Sequence, residues 1–512
     1  MPSSRIVHLF FASCVVAASL PSVTSFLTAQ TATTSPLNLV TVRNSPLNKP
    51  TVSPWSVGTA TSRRNELKQH WQQQHVVYMT SDAALPADAA SDGSDDSSKT
   101  SGGGSATVAE LIFNLIKGIV GAGVLSLPAG IAAWGSAPSA VLPAVALIAT
   151  IGGLSGYGFA LIGRCCAYTN TESYRDAWTA TVSEGSSWIP ATAVTFKTIC
   201  AILAYSMILG DTFVSLLSTA GIAASKVPVT VGLTGAVLLP LCLMKNLSSL
   251  APFSLLGSLG MIYTAIAMAI RYFGKAYTTS GKFGMDMIAS LRPKFGDVGA
   301  SGILSPSAAI LVGMLSTAYM AHFNAPKFYT ELKERTLPNY YKVVSTSFAA
   351  SITIFALMAA IGFLTFGTNS SGLILNNYST KDGLMSISRV AVAVSLVFSY
   401  PLAFVGARDG VTNLLKMSTN ARTQNLLTVA LLSAVTLVAL IIPDVSFVLA
   451  FAGATLGNAL IYIFPAFMFR GAIKKKADAT KGQKREVKLA IGSAVVGTIM
   501  GLLGAKMAIA SL

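Results

Sequence analysis

Apolar runs near twenty residues, parted by short polar stretches, dominate the chain from about residue 106 onward. Read at the length a helix needs to cross a bilayer, they predict eleven spans, centred near Val120, Ile151, Leu203, Leu238, Ile262, Leu311, Ile354, Val394, Leu432, Leu456 and Val496. The first is unlike the others inside. Glu110 to Gly135, ELIFNLIKGIVGAGVLSLPAGIAAWG, is long enough to span, yet Gly118, Gly121 and Gly123 crowd its middle and Pro128 follows. Each glycine costs a helix interior about 1 kcal/mol relative to alanine, and backbone groups released from the helical ladder cannot be left facing lipid. They must face protein or a water-filled cavity. Unwound backbone at that depth offers N–H and C=O groups to a polar solute, and the half-helix beyond points its positive end at a bound carboxylate. Span 6, Ile303 to His322, carries Gly313 and the small run Ser316, Thr317, Ala318 before a second interruption at Pro326. Two interrupted spans are a sequence pointer to a polar site within the membrane.

Composition fixes the class. Of 512 residues 52% are hydrophobic and 11% charged, with mean hydropathy +0.61, against about 25% charged in a soluble domain. The chain is expected to be an all-α polytopic membrane protein. A net charge of +16 would suggest nucleic acid if it lined one face, but it follows the connections between spans. With the N-terminus inside, nineteen lysines and arginines fall on the inner side and eight on the outer. The positive-inside rule then gives N-in, C-out, and no nucleic-acid partner is expected. Cys14, Cys165, Cys166, Cys200 and Cys242 show neither paired nor metal-like spacing. With no nucleotide-binding loop, metal cluster or nucleophile constellation, the reading is not an enzyme, with no cofactor and no metal.

Three segments divide the chain. Residues 1–25, with Arg5 and His8 before an apolar run from Leu9 to Leu20, read as a signal peptide. Residues 26–105 are a transit-like, disordered segment and linker, rich in Ser, Thr, Pro and Gln before five aspartates and a Gly-rich stretch. A signal peptide followed by Phe26 and such a tract resembles the bipartite plastid presequence of algae with complex plastids. The expected address is a plastid envelope, or otherwise a vacuolar, endosomal or plasma membrane. Residues 106–512 form the transporter domain.

Three widely separated motifs carry a family resemblance. FNLIKGIVGAGVLSLP opens the first span, AYMAHFNAPKFYTELK runs from Ala318 to Lys333, and FAGATLGNALIYIFPAF from Phe451 to Phe467 lies in the tenth span. In order and separation they resemble the amino acid/auxin permease family, which includes neutral, proton-coupled and vacuolar amino acid transporters. The resemblance implies a fold of two inverted five-helix repeats with spans 1 and 6 broken, plus an accessory eleventh helix. It implies alternating-access transport of an amino acid.

Individual residues follow. The backbone of Gly121, Ala122, Gly123 and Val124 is expected to hold the substrate carboxylate, and carbonyls of Ser316, Thr317, Ala318 and Tyr319 its ammonium. Glu110, Asn114, Lys117 and Gly121, spaced four, three and four apart, share one helical face, which must look into the bundle because a lysine toward lipid is costly. In sodium-coupled relatives the position of Lys117 is typically an asparagine at the ion, so the resemblance implies that a fixed ammonium takes the cation's place and favours protons, or no ion, as the coupling. The plain alternative is that Lys117 snorkels to the interface. Ser395 and Ser399, an i, i+4 pair on span 8, are either sodium ligands, partners of Lys117, or serines that hold helices together. Asp211 is a coupling carboxylate or a structural partner near a span end. His322, Tyr329 and Glu331 are expected at an inner gate, and Asn369-Ser-Ser forms a glycosylation sequon in an outer loop. The basic run from Arg470 to Lys488 reads as an orientation signal, with acidic membrane lipid as the alternative partner. Two further readings stay open: sodium symport, and an amino acid sensor that signals on binding.

Overall fold

The computed structural model describes residues 104–244, 251–284 and 289–511. The expected signal peptide and nearly all of the transit-like segment lie outside the described residues, as does Lys245.

Among the described residues nine helices are long and apolar enough to cross a membrane. They are spans 2 (Pro138–Thr169), 3 (Trp188–Thr219), 4 (Lys226–Leu243), 6 (Ala308–Thr330), 7 (Leu337–Phe366), 8 (Gly383–Leu414), 9 (Ala421–Ile441), 10 (Val445–Lys475) and 11 (Lys481–Ala510). Span 1 is a pair, Val108–Ile119 and Ala122–Ala132, bent by 42°. Span 5 is Ala251–Phe273, whose 23 residues at about 1.5 Å rise cover a hydrocarbon core of about 30 Å. Each expected centre falls in one of these spans, with Val120 at the bend of span 1.

The two halves match in their parts. Spans 3 and 8 are both helices of 32 residues, and both first spans, 1 and 6, are interrupted. A short helix, Tyr174–Thr181, separates spans 2 and 3, and the 3-10 turn Ile374–Asn377 separates spans 7 and 8. Helix starts are capped as their sequences allow. Thr107 and Glu110 form a reciprocal box at span 1, and Thr480 with Gln483 another at span 11.

Contacts between loops separate two faces. On one, Gly104 and Ala106 donate to the carbonyls of Leu332 and Glu331, both at 2.9 Å, and Lys333 returns a bond to Ala106 at 2.9 Å. Arg164 pairs there with Glu486 in a two-pronged bridge, and Arg335 with Glu172 at 3.4 Å. These are the connections the charge rule places inside. On the other face, fully buried Asp382 receives Arg271 through Nε at 2.8 Å and Nη2 at 2.7 Å, and the Tyr277 hydroxyl at 2.9 Å. Burial, with the Asp382 charge beside it, pushes the Tyr277 hydroxyl to a higher pKa than usual.

Among the charges counted with the connections, Lys197 and Arg389 lie well inside spans. Lys197 is inside span 3, its ammonium 4.7 Å from the centre of the Phe323 ring. Arg389 is inside span 8, 1% exposed, and donates to the carbonyls of Leu375 at 3.0 Å and Tyr378 at 2.5 Å. Its two Nη groups tie down the loop before span 8, while its Nε has no partner. The sequon residue Asn369 is also engaged: its side-chain amide donates to the Arg292 carbonyl at 2.9 Å.

Spans 6 and 10 cross in backbone contact. A Cβ on Gly453 would run into the Gly313 carbonyl, and one on Gly313 would meet the Ala450 carbonyl. The third motif therefore has a packing reason for its first glycine. Span 10 loosens just there into two π-helical stretches, Gly453–Gly457 and Ala459–Ile463, with Thr455 off helical geometry at φ −92°, ψ −112°; such turns recur at functional sites.

Candidate functional site at the break in span 1

The helical ladder of span 1 stops at Val120, whose N–H bonds the Ile116 carbonyl at 2.7 Å. Gly121 is extended, at φ −111° and ψ −173°. Its N–H turns back to Ile119 at 3.0 Å, and its carbonyl accepts from Val124 at 3.2 Å. Gly121 and Val124 thus spend backbone groups on the turn itself. The donors left are those of Ala122 and Gly123, the first of the second half-helix, which have no acceptor inside it. No atom lies within 4 Å of where a Cβ would stand on Gly121 or Gly123. These glycines loosen the helix and leave open space; close packing does not require them.

That space is a cavity of about 50 Å³, where one water needs about 10–15 Å³. Span 1 lines it with Lys117, Gly118, Val120, Gly121 and Ala122, and span 3 with Tyr205. Gly257 and Met261 come from span 5, and Val392, Ser395, Leu396 and Ser399 from span 8. A Cβ on Gly257 would collide with the Ser395 side chain, so this glycine lets span 5 close against span 8 at the cavity wall. The site combines an ammonium, the helix-start N–H of Ala122, two serines, a tyrosine and an apolar wall. It suits a small anion-bearing solute with an apolar part.

Five of the expected residues meet here: Lys117, Gly121, Ala122, Ser395 and Ser399. Gly123 and Val124 follow in the second half-helix, and Asn114 sits one turn before Lys117. The expected common face needs correcting at both ends. Glu110 is exposed and folds back to receive the Thr107 N–H at 2.8 Å, so it caps the helix instead of facing the bundle. Gly121 is past the helix end, where the periodicity no longer holds.

Residues of span 6 do not reach this cavity. Ser316 donates to the Val312 carbonyl at 2.9 Å, Thr317 to Leu449 at 2.6 Å across to span 10, and Tyr319 to Ile148 at 3.3 Å in span 2. The Thr317 and Tyr319 carbonyls already accept from Met320 and Ala321 at 3.3 and 3.0 Å, with Ala318 between them. Asp211, about two turns before the end of span 3, lies 2.7 Å from Lys226 and 3.4 Å from the Asn376 amide. Tyr329 is buried, edge-on to Tyr340 and under the Arg335 guanidinium. Glu331 pairs with Lys327 at 3.4 Å, and its carbonyl holds Ala106. His322 is buried at the break of span 6, away from the cavity.

Tyr205, Gly257, Met261, Val392 and Leu396 were not singled out by sequence. Tyr205 is an aromatic in an apolar run, and Gly257 with Gly260 is a small-residue spacing that favours close helices; neither pattern says which spans meet at the break.

Residues 104–510 match the family model described as transmembrane amino acid transporter protein. A mouse (Mus musculus) protein provisionally named sodium-coupled neutral amino acid transporter 11 is 24% identical over 76% of this chain and 84% of its own length. Amino acid transporter AVT6E of Arabidopsis thaliana is 24% identical over 77% of this chain and 82% of its own. The yeast (Saccharomyces cerevisiae) vacuolar amino acid transporter 7 is 25% identical over 59% of this chain and 58% of its own. In fold the chain is similar to the inward-facing conformation of Mhp1, with TM-score 0.54 and 12% identity, over 80% of this chain and 90% of that one.

Proposed function

Since the chain belongs to the transmembrane amino acid transporter family, we propose that it carries an amino acid across its membrane by alternating access, with the substrate carboxylate bound at the break in span 1. The N–H groups of Ala122 and Gly123 and the ammonium of Lys117 supply the anion-binding half of the site. The observation that carries this reading is that Lys117 and Ala122 line one cavity with the apolar side chains Val120, Met261, Val392 and Leu396, with Gly123 next in the chain. The span 6 backbone from Ser316 to Tyr319 joins this site only if the spans shift between states.

Coupling is read from the same cavity. Lys117 brings a fixed positive charge to the place where Ser395 and Ser399 turn their wall toward span 1, which favours proton coupling or facilitation. Sodium symport is the second reading, supported by the name of the mouse relative and by the two serines. Amino acid uptake into proteoliposomes, with sodium and proton gradients varied independently, tests both; sodium-dependent flux would overturn the role given to Lys117. Binding without flux would favour a sensor. For the address, the plastid envelope is the finer reading of the N-terminal segments. Residues 1–80 fused to a fluorescent protein should reach the plastid, and secretion or vacuolar accumulation would refute it.

A further inference from the structure

The break in span 6 closes on a buried polar cluster that the cavity does not touch. His322 has no exposed surface, and its Nε2 lies 2.9 Å from the Ser155 carbonyl in span 2. A carbonyl only accepts, so Nε2 carries the hydrogen and the neutral ring leaves Nδ1 as a bare lone pair. Nδ1 has no partner, and the Ser155 and Tyr462 hydroxyls, which face each other, fall short of hydrogen-bond geometry. The Tyr462 hydroxyl is directed toward Ser155 and Ser316. Buried polar atoms are nearly always satisfied, so an unpaired one calls for a physical reason, of which a proton-carrying role is one.

We propose that His322 is a proton-binding site of the transport cycle, which rests on the transporter reading above. A proton from the water-filled side adds to the Nδ1 lone pair, giving an imidazolium that still donates through Nε2 to the Ser155 carbonyl and gains a second donor at Nδ1. It leaves again by the reverse step on the other side. The surroundings fit an uncharged resting state. Span 2 presents Ser155 and Phe159, span 10 presents Tyr462, and Lys197 of span 3 stands over the neighbouring Phe323 ring. On the same span Lys327 and Glu331 hold each other, and Arg164 of span 2 is held by Glu486. Of the aspartates within or beside spans elsewhere, Asp211 has Lys226, Asp382 has Arg271 and Asp409 has Arg408 at 3.3 Å, while Asp444 caps span 10 through Ser446.

The test uses the full chain in proteoliposomes. Wild type should accumulate amino acid against its gradient when protons are driven inward, taking up about one proton per amino acid, as a single titrating histidine allows. His322→Gln keeps an amide donor for Ser155 but cannot titrate. It should retain exchange between equal amino acid pools at one pH, within about threefold, while losing proton-driven accumulation and proton uptake. Accumulation that survives in His322→Gln, or a wild type indifferent to protons, would overturn the site. Exchange absent in wild type would instead defeat the transporter reading, and the site is then judged on the purified protein. A pH-indicator titration there should show one proton fewer bound in the variant as the pH is lowered from neutral; equal binding refutes it. Should His322→Gln fail to fold, Tyr462→Phe decides the matter: a shifted pH midpoint of uptake supports the site, and an unchanged one counts against it.

Discussion

Spans 1 and 6 are interrupted at matching points of the two halves, yet the structure uses the interruptions in opposite ways. The break in span 1 leaves two N–H groups without helical acceptors and open space over Gly121 and Gly123, beside a lysine. The break in span 6 is packed shut: Thr317 reaches span 10, Tyr319 reaches span 2, and Gly313 touches the backbone of span 10. A sequence interruption therefore says that backbone is released from a helix, and the neighbours decide whether it is offered to a solute or consumed by packing.

The sharpest way to break this comparison is at Lys117. Lys117→Met keeps the stem and removes the charge, and losing a charge-assisted contact of about 1.5–3 kcal/mol should cut uptake by roughly ten- to a hundredfold. Uptake assays that show less than a threefold change would return Lys117 to the snorkelling alternative. Lys117→Asn should gain sodium dependence if the ammonium stands in for a cation.

Next in size is Gly453→Ala at the crossing of spans 6 and 10. Overpacking of a tight contact costs about 1–3 kcal/mol, so thermal unfolding in detergent should shift clearly downward. A variant as stable as wild type would mean the crossing is not rigid.

Thr317→Val keeps the shape and removes the bond to Leu449, so a stability loss near 1 kcal/mol is expected, with KM for the amino acid little changed. A tenfold rise in KM with stability intact would instead put span 6 at the substrate. Smallest is Ser399→Ala: with Lys117 present, uptake should change by no more than about twofold, the scale of one weak interhelical hydrogen bond. A large loss confined to sodium-containing buffer would favour the sodium reading.

The legible part of the site was the part written along one helix. Lys117, Gly121 and Ala122 lie within six residues of sequence, and glycine crowding marks the break without any tertiary knowledge. Ser395 and Ser399 were placed by family resemblance, and both line the cavity. Glu110 was misplaced because helical periodicity assigns a face but does not see that a glutamate three residues after Thr107 folds back as a cap. Asp211 showed the reverse: a carboxylate near a span end satisfied by Lys226, fifteen positions on in a different helix.

By itself the sequence determined the membrane class, the eleven spans and the two interruptions, because crossing lipid demands long apolar helices and punishes released backbone. It determined the family through three motifs whose residues are local. Tertiary structure alone decided that spans 3, 5 and 8 wall the break in span 1, that span 6 spends its polar groups on spans 2 and 10, and that His322 is sealed against Ser155. Those outcomes depend on which helices touch, and lipid-facing and protein-facing apolar residues look alike along the chain.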